Sequence, residues 1–112
     1  EKLLIFNSGK SKRDFTYVLD IVNATVLAGK SNINGETFNI GGGNMISLNE
    51  VIVKLGKILG IKPKMNILGL QKGDVVNTWA DITKARKLLA YNPKVKIDEG
   101  LISELDWIKK NK

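Results

Sequence analysis

The spacing of apolar residues changes several times along the chain, and each change marks an expected element. Leu3 to Phe6 is a short apolar run ending in the turn-rich NSGK, which predicts a strand and a turn. In RDFTYV, residues Phe15 to Val18 all favour extended backbone. From Val18 the period lengthens: Val18, Ile21, Val22, Thr25 and Val26 recur at helical spacing, and Gly29 is placed to stop that helix. NING reads as a surface turn and Thr37 to Ile40 as a further short strand.

The next helix has the strongest start signal. Ser47 and Glu50 have capping-box spacing, in which each side chain satisfies the other residue's free backbone N–H. Leu48, Val51, Ile52, Leu55, Ile58 and Leu59 share a face, Gly60 closes the helix and Pro63 prevents its continuation. Lys64 to Ile67 alternates polar and apolar residues and is expected to form another strand. Asp81 is placed to cap a helix with apolar positions Ile82, Ala85, Leu88 and Leu89, bounded by Asn92 and Pro93. Asp98 can begin the last helix, with Leu101, Leu105 and Ile108 on its buried stripe and KKNK as a solvated tail. Short strands alternating with helices, without a linker or repeat, define one small mixed α/β unit over 1–112.

Composition narrows the possible chemistry. With no Cys there is no disulfide or thiolate metal site, so no metal site and no secretion are expected. With no His, a Ser-His-Asp triad cannot be assembled from this chain. No apolar run approaches the roughly 18 residues of a membrane span, and no signal-peptide pattern is present, so the expected location is cytoplasmic without a membrane partner. A net charge of +7 favours an anionic partner. Aromatics are only 6% and no helix carries a dense Lys/Arg face, which argues against nucleic acid.

Three stretches invite a phosphate ligand. SGKS lacks the first Gly of a Walker A loop, because Leu4 stands there. NIGGGN has the wrong glycine spacing for a dinucleotide turn and is either a close backbone approach to a neighbour or a loop that lets backbone meet a ligand. Arg13, at the head of an expected strand, can fork onto phosphate oxygens or pair with an acid such as Asp14. Asp74 in KGDV is a turn residue or a ligand, whereas Trp79 is expected in the core and Trp107 with Ile108 in the core or an interface.

Taken in order, RDFTYVLDIV, GETFNIGGGNMISLNEV, GDVVNTWADITKARKLLAYNPKVKIDEGL and DWIKK resemble the C-terminal part of the extended short-chain dehydrogenase/reductase family. The resemblance is to its nucleotide-sugar branch of NAD-dependent epimerases and dehydratases, of the UDP-glucose 4-epimerase and UDP-glucuronate epimerase type, and it runs from Leu4 to Trp107. It implies a substrate-binding lobe that packs against a separate NAD-binding Rossmann domain. It also implies that Arg13 contacts the substrate diphosphate, that Phe15 lies close to the nucleotide and that Asp74 lies near its sugar hydroxyls. Gln71, Asn44 and Thr78 complete the implied substrate wall. The implied ligand is a nucleotide-diphosphate sugar, with UDP-sugars favoured.

The departures from the family pattern are informative. Gln71 and Lys72 stand where some 4-epimerases carry a second phosphate-binding Arg, and Ala90 replaces a usual Gly. If position 90 needs positive φ, Ala there costs about 1 kcal/mol. The chain has no YxxxK pair, since Ile21 follows Tyr17 and Val95 follows Tyr91 at that spacing. It also has no Gly-rich NAD turn after a first strand. The expectation is a lobe with no catalytic residue and no cofactor site of its own, NAD belonging to the full-length protein and to an N-terminal Rossmann domain absent from this chain. Such a lobe should be inert alone and should expose an apolar face able to self-associate.

Overall fold

A computed structural model describes residues 2–111. The elements alternate much as the hydrophobic pattern requires: β1 (Leu3–Ile5), β2 (Lys12–Arg13), α1 (Val18–Lys30), β3 (Ile46–Ser47), α2 (Leu48–Leu59), β4 (Met65–Ile67), β5 (Asn77–Thr78), α3 (Thr83–Leu89) and α4 (Ile97–Lys110). β1 pairs with β4 in parallel. β2 lies between β3, antiparallel, and β5, parallel, so that Arg13 is in register with Ile46 on one side and Thr78 on the other.

Helix boundaries follow capping chemistry where side chains supply it. The Ser47 hydroxyl accepts the Glu50 N–H at 3.2 Å while the Glu50 carboxylate accepts the Ser47 N–H at 2.9 Å, completing the capping box. Gly60 ends α2 with φ 65°. Gly29 does not end α1. The helix runs on to Lys30, and Ser31 closes it by donating its hydroxyl to the Ala28 carbonyl at 2.8 Å. Asp81 caps from one position further out than expected, accepting the Thr83 N–H at 2.9 Å. α4 begins at Ile97, with Asp98 in its first turn held by Lys54 of α2 at 2.8 Å, and it continues through Lys109 and Lys110 rather than fraying there.

Thr37 to Ile40 forms no ladder, because no strand of the described residues lies beside it; its apolar side chains Phe38 and Ile40 pack instead on the core. That core joins α1 to α3 through Ala24, Ile82, Ala85, Leu89 and Tyr91. Asp20 is buried with it, and its two carboxylate oxygens accept the N–H groups of Lys94 and Val95 at 3.0 and 3.2 Å. A buried carboxylate is tolerable when both oxygens are satisfied in this way.

Much apolar surface remains outside the core. Val18, Leu19, Val22 and Val26 of α1 are exposed, as are Leu88 and Ile102. Trp79 is 61% exposed and not the core residue expected, and Trp107, at 62%, is outside the core, which leaves the interface alternative for it. The molecule is a slab of 50 × 36 × 20 Å with a radius of gyration of 16.7 Å. A closed domain of this length would have a radius near 13 Å. The α1 face is therefore on the surface because the chain is too thin to cover it. Among the described residues, no helix is long and apolar enough to cross a membrane.

Candidate functional site

β2 fixes the backbone of Arg13, and three contacts fix its side chain. Nη1 donates to the Lys12 carbonyl at 2.9 Å and the Val76 carbonyl at 3.1 Å, while Nη2 donates to Asp74 Oδ1 at 3.0 Å. The ion pair is two-thirds covered, with side-chain exposures of 35% and 33%. Asp74 arrives through a tight turn: its N–H meets the Gln71 carbonyl at 3.0 Å, and Gly73 adopts φ 87°. Arg13 thus pairs with an acid, as one reading of the sequence expected, but the acid is Asp74 and not its neighbour Asp14.

The six residues expected at the site fall into two groups. Arg13 and Thr78 line one open depression of about 540 Å³ together with Asn39 and Trp79, and Asp74 holds the Arg13 head beside it. Phe15 and Asn44 line a second depression of about 550 Å³, with Glu50, Lys94 and Lys96. Phe15 and Thr16 follow Asp14 directly, Thr16 lining the first depression and Phe15 the second. Gln71 is exposed at the start of the Asp74 turn and joins the first group only through that turn.

Sequence patterns did not single out Asp14 or Tyr91, yet both organise this surface. Asp14 Oδ1 accepts the Gly42 N–H at 2.9 Å, and Oδ2 accepts those of Gly43 at 3.2 Å and Ala80 at 3.4 Å. The Thr16 hydroxyl also takes the Gly42 N–H at 2.9 Å. A Cβ at Gly41 would strike the Asp14 carboxylate and Ala80, and one at Gly42 would lie 2.9 Å from Asp14 Oδ1. The glycines are needed for close approach to a carboxylate, the architectural reading of NIGGGN. The consequence bears on phosphate binding: the Gly42 and Gly43 amides, which a dinucleotide phosphate would require, already serve a resident anion.

Tyr91 is 1% exposed and donates its hydroxyl to the Gly41 carbonyl at 2.9 Å. Burial, and then the nearby Asp20 and Asp14 carboxylates, push that hydroxyl's pKa up and keep it a donor. Its signal in the sequence was the tyrosine just after the Leu88-Leu89 helix, but nothing local pointed back to Gly41. No group of three or more His, Cys, Asp or Glu side chains is placed to hold a metal ion among the described residues.

This fold and chain order define the C-terminal part of an extended short-chain dehydrogenase/reductase. Residues 1–103 match the family model described as GDP-mannose 4,6 dehydratase, and the chain belongs to that family. A UDP-glucuronate 4-epimerase of Thermodesulfobacterium geofontis is 44% identical over 108 residues, which cover 96% of this chain and 33% of that protein. The crystal structure of a UDP-glucuronic acid 4-epimerase from Bacillus cereus, in complex with UDP-glucuronic acid and NAD, superposes with a TM-score of 0.92. It is 41% identical, over 100% of this chain and 36% of that one. A UDP-glucose 4-epimerase from Thermotoga maritima with UDP-glucose gives 0.90 at 36% identity, over 99% of this chain and 36% of that one. The chain thus spans about a third of the length of the curated relatives it matches.

Proposed function

We propose that this chain is the nucleotide-sugar-binding lobe of an NAD-dependent epimerase or dehydratase, inert without the lobe that carries NAD. The observation that carries the reading is Arg13, a guanidinium held in one orientation by Asp74 and two carbonyls at the edge of an open depression. A fixed planar fork is suited to a diphosphate, and a carboxylate beside it is suited to sugar hydroxyls. Phe15, Asn44, Thr78 and Gln71 would complete the surface. The solved relatives that hold UDP-glucuronic acid or UDP-glucose favour a UDP-sugar.

NAD would be held by the other lobe, since this chain's one glycine cluster is committed to Asp14. The uncovered α1 face and the flat outline of the molecule support a second apolar body lying against α1. Alone, the chain would cover that face by self-association. Isothermal titration with UDP-, dTDP- and GDP-sugars tests the binding claim. We expect UDP-glucuronic acid to bind and Arg13→Ala to remove at least about tenfold in affinity, the order expected for a lost charge-assisted hydrogen bond. Equal binding by Arg13→Ala sinks the proposal.

A further inference from the structure

We infer that Asp14 is a positioning residue for the Arg13 site, holding together three chain segments just beyond the point where the β2 ladders end. The inference rests on the nucleotide-sugar reading of Arg13, and it concerns how that site keeps its shape. Asp14 follows Arg13 where the pairing of β2 with β3 and β5 stops, so its carboxylate is the first side chain beyond the ladders that can hold the strand bearing the guanidinium to its neighbours. Through Oδ1 it holds Gly42, and through Oδ2 it holds Gly43 and Ala80. Gly42 and Gly43 lead directly to Asn44 in one depression, while Ala80 follows Thr78 and Trp79 in the other.

Two independent features show that the junction is built for this carboxylate. Positions 41 and 42 have no room for a Cβ against Asp14, so only glycine lets the loop close on it. In addition, the Thr16 hydroxyl doubles the bond to the Gly42 N–H, which orients the loop from a second side. Carboxylate oxygens are acceptors only, and three N–H groups converge here. Asp14→Asn would turn an N–H₂ toward donors and open the junction. The resulting error in placement falls on Arg13 and Thr78, where a small displacement of a forked donor costs affinity.

The test uses the ¹⁵N-labelled 112-residue chain and the variants Asp14→Asn, Thr16→Val and Arg13→Ala, each titrated with UDP-glucuronic acid by NMR. For Asp14→Asn we expect a rise in Kd of about tenfold, the order of a lost hydrogen bond to a charged group. In the free protein the Arg13 Nε resonance should shift with the Gly42, Gly43 and Ala80 amides. The Lys94 and Val95 amides, held by Asp20, should stay in place and report an intact fold. Movement of the three amides with Arg13 Nε and Kd unchanged overturns the inference, because Asp14 would then be a local brace only.

If Asp14→Asn does not fold, Thr16→Val decides. It removes one bond to Gly42 and should raise Kd about threefold, and an unchanged Kd with an unchanged Arg13 Nε resonance overturns the inference. A failure of the nucleotide-sugar reading looks different, since Arg13→Ala would then bind as the parent chain does. If the parent chain binds no UDP-sugar, that reading falls for the isolated lobe, and the free-state Arg13 Nε shift alone decides the role of Asp14.

Discussion

Arg13 Nη2 stands 3.0 Å from Asp74 Oδ1, a pairing across 61 residues that binds the central strand of the small sheet to an exposed turn. A pair left one-third open to solvent contributes little to stability, no more than about 1 kcal/mol. Asp74→Ala should therefore leave the urea midpoint nearly unchanged. Its effect on ligands should be uneven. Inorganic diphosphate, which needs only the guanidinium, should bind at least as well, whereas UDP should weaken about tenfold through loss of a bond to a charged acceptor. Parallel losses for both ligands in titration calorimetry would refute a division of labour between the two residues.

The capping box gives a stability prediction with a pH signature. Ser47→Ala should cost about 1 kcal/mol in urea unfolding with an unchanged m-value. Hydrogen bonds from the Ser47 side chain and then its backbone hold the Glu50 carboxyl below its ordinary pKa. The folded-state pKa is thus depressed, so this contribution is fully present at neutral pH and is lost as pH falls through the carboxylate range. Stability of the parent chain should drop over that interval, and the drop should be shallower in Ser47→Ala. Equal slopes for the two chains would contradict the capping role of Glu50.

Ala90 closes α3 with φ 53°, the left-handed region that a Cβ disfavours. Ala90→Gly should raise stability by up to about 1 kcal/mol, because relief of the folded conformation outweighs the added freedom of the unfolded chain. A lowered melting temperature would show that the Cβ does more for packing than it costs in backbone conformation.

Tyr91→Phe removes the only hydroxyl bonded to the buried Gly41 carbonyl among the described contacts. An orphaned buried acceptor costs about 1–3 kcal/mol. Thermal unfolding should show that loss, and hydrogen exchange at Gly42 and Gly43 should accelerate because the loop has lost its second tether. Protection unchanged at both amides would mean that Asp14 and Thr16 hold the loop without Tyr91.

Val22 lies mid-helix on the uncovered side of α1 and is 50% exposed. Val22→Lys should change stability by no more than about 0.5 kcal/mol, as for other surface positions. Light scattering should show reduced self-association of the isolated chain. An apparent mass that does not respond to this substitution would place the sticky surface elsewhere.

Legibility in the sequence followed the range of the interactions. Ser47 with Glu50, Gly60 and the strand at Met65 to Ile67 are encoded within a few residues, and they appear where the pattern put them. Gly29 shows the weakness of a single local signal: glycine permits a helix end but does not impose one, and the Ser31 hydroxyl decided the boundary. Thr37 to Ile40 carries a strand's composition without a strand beside it among the described residues, and pairing is not a property of the segment. Trp79 departs from its expected burial for a related reason, since size predicts burial only when the chain is thick enough to provide an interior. The junction of Asp14 with Gly42, Gly43 and Ala80 spans up to 66 residues, and no window of sequence displays it.

The carboxylate of Asp20 has consequences for the order in which the molecule can form. Its partners, Lys94 and Val95, lie 74 and 75 residues further along the chain. During synthesis, α1 emerges long before the amides that satisfy its one buried charge, so its carboxylate stays without these partners until the chain has been made through Val95. Closing so long a loop delays the reward for ordering it. Formation of the native α1–α3 contact should therefore be a late, slow step that sets the refolding rate, and the N-terminal half should remain open to chaperones and proteases until the segment after Tyr91 arrives.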